Sequence, residues 1–133
     1  MPASLYNFNI EQGSSFKMTL VYKDDNGDVI NITGWCARLV WTTNKGISQT
    51  FSTDNVDYSL YKFIINGSIG QITFMLPASV TNSYDFREAK YDLELQSPNE
   101  LYYLGGNETI RLLNGTITLV HRYSGSDTAL ECQ

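Results

Sequence analysis

The sequence predicts an all-β fold: an immunoglobulin-like antiparallel β-sandwich with one short helix. Three observations carry that expectation. Apolar residues recur at every second position through most of the chain, turn dipeptides separate these runs at short intervals, and Tyr, Thr, Ser, Asn and Gly outweigh the strong helix formers. The 133 residues fit one domain with one core, and a hydrophobic content of 42% is enough to fill it.

Each element follows from its local pattern. Tyr6, Phe8 and Ile10 alternate with polar neighbours, and after Gln12-Gly13 the set Phe16, Met18, Leu20 and Tyr22 alternates again. Asn26-Gly27 is a strong hairpin signal because both residues tolerate positive φ, so residues 16–22 are expected to fold back on a short strand at 29–32. Asn31 to Gly34 reads as a second bend. Residues 35–42 place Trp35, Ala37, Leu39 and Trp41 on one face and Cys36, Arg38, Val40 and Thr42 on the other, the signature of a central strand. Trp35, Leu39 and Trp41 are therefore expected in the core.

Asn44-Lys45-Gly46 is a turn, residues 47–52 a strand, and 53–61 a polar loop. A short strand at 62–65 ends at Asn66-Gly67, and residues 71–76 alternate through Ile72, Phe74 and Leu76. Pro77 suits a first helical turn, where its missing N–H would be unpaired anyway, and opens the one expected helix at 78–84. Residues 90–96 turn Tyr91, Leu93 and Leu95 inward and Asp92, Glu94 and Gln96 outward. A turn at 97–100, a returning strand at 101–104, a break at Gly105-Gly106-Asn107 and a long strand over 111–122 complete the set. Residues 1–123 thus read as a single sandwich domain, and 124–133 as a flexible C-terminal tail.

Composition argues against several function classes. The net charge is −5, the sequence pI is about 4.6, and the nine basic residues are scattered, whereas nucleic-acid binding needs them clustered against phosphates. No apolar run reaches the roughly 18 residues of a membrane span, and the first residues lack the basic and apolar regions of a signal peptide. Cys36 and Cys132 read as two thiols in a reducing cytoplasm rather than a disulfide, since a chain end is a poor staple. The Asn-x-Ser/Thr triplets at Asn31, Asn66, Asn107 and Asn114 then read as turns.

Nor does a catalytic constellation stand out. His121 is the one histidine, placed in the last strand with no triad partner at hand, and with two distant cysteines it cannot make a zinc site. Asp24, Asp25, Asn26 and Asp28 resemble a calcium loop, but Trp35 stands where an EF-hand needs its bidentate Glu. Asp92 and Glu94 alternate on an exposed strand face and read as solvated. No metal, cofactor or enzymatic activity is expected. The aromatics Tyr58, Tyr61, Tyr102 and Tyr103 are expected to be exposed. Tyr buries much area at low entropic cost, so they are the candidate protein-contact residues, although a place in the core and rim of the sandwich suits them equally well.

Four stretches together carry a family resemblance. They are Ile10-Glu11-Gln12-Gly13-Ser14-Ser15-Phe16, Asp25-Asn26-Gly27-Asp28-Val29-Ile30-Asn31-Ile32-Thr33-Gly34-Trp35, Tyr91-Asp92-Leu93-Glu94-Leu95 and Leu112-Leu113-Asn114-Gly115-Thr116-Ile117-Thr118. Their order resembles small β-sandwich structural proteins of tailed bacteriophages and is similar to the N-terminal domain of phage upper baseplate proteins. The resemblance spans about residues 8–122, with Ile32 for the family's Leu, Trp35 for its Tyr, and a polar insertion at 53–61. It implies a non-catalytic virion protein of the tail, baseplate or fibre anchor, assembled in the host cytoplasm. Such a protein contacts other virion proteins in many copies per particle and binds neither nucleic acid nor membrane. Turn and core motifs argue fold more strongly than function. A capsid decoration or neck protein is the alternative within the particle, and a carbohydrate-binding module the alternative outside it.

Overall fold

The strongest runs of alternation become strands, and the strands form two facing sheets. The computed structural model describes residues 4–53, 60–98 and 108–122. Its strands are β1 (Ser4–Leu5), β2 (Phe8–Glu11), β3 (Phe16–Val21), β4 (Cys36–Thr43), β5 (Ser48–Ser52), β6 (Lys62–Asn66), β7 (Gln71–Leu76), β8 (Glu88–Gln96) and β9 (Thr109–Val120). A 3-10 turn covers Gly67–Ile69, and helix α1 covers Ala78–Asn82. One sheet runs β1-β9-β8-β4-β5, with β2 also beside β9; the other runs β3-β7-β6. The runs β9-β8-β4-β5 and β3-β7-β6 have the G-F-C-C′ and B-E-D orders of an immunoglobulin-like sandwich.

The core lies between the sheets. β4 turns Ala37, Leu39 and Trp41 inward, β8 turns Tyr91, Leu93 and Leu95 inward, and β7 faces them with Ile72, Phe74 and Leu76. Trp41, 1% exposed, packs on Phe51 at 4.8 Å between ring centroids, on Tyr84 at 5.6 Å and on Phe86 at 5.9 Å. Phe74 continues the aromatic layer toward Phe51 and Phe63. A β-bulge near Leu93 and Glu94 sets Leu113 opposite Leu93 and Arg111 opposite Glu94. The residue between them, Leu112, is absorbed by the bulge, so alternation resumes in phase on both sides.

Several expectations need correction. β1 and β2 pair with β9 in parallel, so the sandwich is antiparallel except at its N-terminal strands. Periodicity reports which face a residue occupies and carries no information on strand direction. The turn at Asn26-Gly27 forms, but the return is a bridge between Lys23 and Val29 rather than a strand. β3 pairs instead with β7, from Phe16 opposite Leu76 to Val21 opposite Gln71. The Ile30 N–H still donates to the Tyr22 carbonyl at 3.0 Å, and beyond it the chain leaves the hairpin to cross between sheets. Ile32 is fully buried there, and its N–H donates to the Gly67 carbonyl at 3.0 Å.

The helix stops at Asn82, so Tyr84 falls outside it and enters the core. Trp35 precedes β4 and is half-buried against the core, while Leu39 and Trp41 are buried as expected. His121 is exposed just past the end of β9. The expected turn at 97–100 is described only to Pro98; the strand at 101–104, Cys132 and the tail at 124–133 lie outside the described residues.

Candidate interaction surface

Of the four candidate contact tyrosines, Tyr58, Tyr102 and Tyr103 lie outside the described residues. Tyr61 is described and is 9% exposed, which corrects its expected place on the surface. Its ring meets Phe51 edge-on at 4.9 Å, and its hydroxyl sits 3.3 Å from both the N–H and the carbonyl of Ser52. The signal was present in the sequence. Tyr61, Phe63 and Ile65 alternate with Lys62 and Ile64, so the period-2 run of β6 begins one residue earlier than its polar flank suggests.

Two braces tie the N-terminal segments to the rest of the sandwich. The Gln12 side-chain amide donates to the Tyr84 carbonyl at 2.8 Å and the Asn82 carbonyl at 3.3 Å, while its oxygen accepts the Arg122 N–H at 3.0 Å. Gly13 follows with φ of 85°, a left-handed conformation that favours glycine, and its N–H donates to Thr81 Oγ1 at 3.2 Å. The second brace is the Tyr91 hydroxyl, which donates to the Tyr6 carbonyl at 2.6 Å. Burial, then the neighbouring Tyr6, pushes the Tyr91 phenol up to about 12. Burial also raises the Tyr84 phenol, whose hydroxyl has no hydrogen-bond partner among the described residues.

The outer face of the first sheet is polar and charge-paired. Arg38 on β4 meets Glu94 on β8 at 2.8 Å, and Arg111 on β9 meets Asp92 on β8 at 3.5 Å. The Glu94 hydrogen bond raises the Arg38 pKa further above its ordinary value. Asp92 and Glu94 were expected as simply solvated carboxylates; each has a cross-strand arginine that local sequence spacing could not reveal. A shallow depression of about 330 Å³ lies on this face, lined by Cys36, Arg38, Ser52, Glu94, Gln96 and Thr109 among others. Cys36 Sγ is 3.9 Å from Gln96 Oε1.

The Asp24 loop closes on itself: Asp24 Oδ1 accepts the Asn26 N–H at 2.9 Å and the Asp28 N–H at 3.0 Å. Among the described residues no three His, Cys, Asp or Glu side chains gather as a metal site, and no helix is long and apolar enough to cross a membrane. The geometry offers internal braces, a paired-charge face and sheet edges that pair with no further strand among the described residues. No protein-family model and no curated protein sequence matches the chain.

Proposed function

We propose that this chain is a non-catalytic structural protein of a tailed bacteriophage particle. In this reading it is a tail, baseplate or fibre-anchoring component that acts through contacts with other virion proteins, in many copies. One observation carries the reading: the residues behind the resemblance occupy framework positions. Gln12 and Gly13 brace the β2–β3 crossover to the α1 turn, Trp35 N–H closes the Asn31–Gly34 bend onto the Ile32 carbonyl at 3.0 Å, and Tyr91 pins the N-terminal segment. Shared framework residues are what a shared scaffold requires, and a rigid scaffold presents the same surfaces identically at every repeat.

The carbohydrate-binding alternative would gain from an exposed tryptophan, but Trp41 is buried and Trp35 packs against the core. Electron cryomicroscopy of the purified particle tests the proposal. Density for this sandwich repeated along the tail or baseplate is the expected result. Density on the capsid shell or neck would move the protein to a decoration or neck role. A particle that lacks the protein would overturn the proposal altogether, as would hydrolysis of a host glycan by the purified chain.

A further inference from the structure

We infer that the outer edge of β5 pairs with the same edge of a second copy of this chain, joining two first sheets into one across a two-fold axis at Gln49. β5 ends the first sheet, and its register on β4 runs without a shift from Thr42 opposite Ser48 to Arg38 opposite Ser52. The Thr43 N–H donates to the Ile47 carbonyl at 2.8 Å, and the Thr53 N–H donates to the Ala37 carbonyl at 3.0 Å. Hydrogen-bonded and non-hydrogen-bonded pairs alternate in an antiparallel ladder. Ile47, Gln49, Phe51 and Thr53 therefore bond to β4, and the backbone groups of Ser48, Thr50 and Ser52 point away from it. The Tyr61 hydroxyl covers those of Ser52. Those of Ser48 and Thr50 have no partner among the described residues.

Natural sheets protect such edges with lysine, proline or a bulge. The second sheet shows the first device: β3 carries Lys17 and β6 carries Lys62, both exposed. β5 reads Ser-Gln-Thr-Phe-Ser, with no charge, no proline and no register shift against β4.

The same absence of charge identifies the occupant. Two copies of β5 can approach antiparallel without bringing like charges together. With Gln49 opposite Gln49 of the second copy, Ser48 pairs with Thr50 of that copy and Thr50 with its Ser48, so every open backbone group on both edges is matched. The register also carries Ile47, 56% exposed, into the contact, opposite the backbone of Phe51 of the second copy, whose own ring is buried in its core. The Tyr61 hydroxyl limits the ladder to these residues. The contact is therefore weak between isolated molecules and strengthens where copies are concentrated.

Sedimentation of the full chain over a concentration series up to about 1 mM reads this directly, since a weak pair populates its dimer only near its dissociation constant. A reversible monomer–dimer equilibrium is expected. Thr50→Pro removes an outward N–H that β4 does not use, so it should keep the wild-type circular dichroism while weakening the dimer roughly tenfold to a hundredfold. Gln49→Lys sets two ammonium groups across the axis and should do the same. In a Cys36→Ser, Cys132→Ser background, Gln49→Cys should cross-link the dimer under mild oxidation, because non-hydrogen-bonded pairs bring their Cβ atoms closest. A wild type that stays monomeric throughout overturns the inference, as does a dimer that persists unchanged in folded Thr50→Pro.

Discussion

The phenol of Tyr91 donates to the carbonyl of Tyr6 across 2.6 Å, tying the middle of β8 to the segment between β1 and β2. Gly115, opposite Tyr91 in the β8–β9 register, makes the approach possible, because a Cβ there would overlap the Tyr6 carbonyl oxygen. Asn7 Oδ1 accepts the Thr116 N–H at 2.8 Å beside it. Gly115→Ala should therefore displace the N-terminal strands and cost about 1–3 kcal/mol, as overpacking does. Hydrogen exchange over residues 4–11 is expected to speed up in the variant. Unchanged protection there would show that the chain does not depend on this close approach.

Trp41 anchors the aromatic layer through Phe51, Tyr84 and Phe86. Trp41→Ala leaves a cavity that three rings cannot refill, at a cost of about 3–5 kcal/mol in a urea melt. Arg38→Ala should cost far less, since the Arg38 side chain is 58% exposed and surface ion pairs contribute about 0–1 kcal/mol. Equal losses from the two variants would contradict this ordering.

How far the sequence reaches follows from what kind of information each feature needs. Leu39, Trp41, Tyr91, Leu93 and Phe74 were legible because period 2 marks a face regardless of which strand lies beside it. Pairing partners were not. β3 meets β7 across a long stretch of sequence, while the local Asn-Gly turn favoured a neighbour that forms only a bridge. The parallel course of β1 and β2 along β9 was hidden for the same reason. At the surface, Asp92 and Glu94 were correctly set outward, but their arginine partners come from other strands. Tyr61 was misplaced because its polar neighbours outweighed a short alternating run.

Tyr84 and Tyr91 should respond oppositely to loss of their hydroxyls near neutral pH. Tyr84→Phe removes a buried group with no hydrogen-bond partner among the described residues and is expected to be neutral or stabilising, because that hydroxyl is desolvated without compensation. Tyr91→Phe deletes a short hydrogen bond and should cost about 0.5–1.5 kcal/mol. Denaturation midpoints of the two single variants give the comparison. A clearly destabilised Tyr84→Phe would mean that its hydroxyl has a partner after all.

Alkaline pH should unfold the protein through these same two phenols. In the unfolded chain a tyrosine ionises near its ordinary value of about 10. In the fold, burial holds Tyr84 and Tyr91 protonated above that, Tyr91 up to about 12. A raised folded value means that the native state retains a proton the unfolded state has lost, so stability falls as pH rises. Their contribution is intact below about pH 10 and is lost through the window above it, at about 1.4 kcal/mol per pH unit for each tyrosine. Other groups titrate in that window too, so the test is a difference. Urea midpoints of the wild type and of the Tyr84→Phe, Tyr91→Phe double variant should be offset by a constant amount up to about pH 9.5, and above it the wild type should fall relative to the variant, since only the wild type carries these two protons. Curves that remain parallel to about pH 11.5 would show that neither phenol is held protonated by the fold.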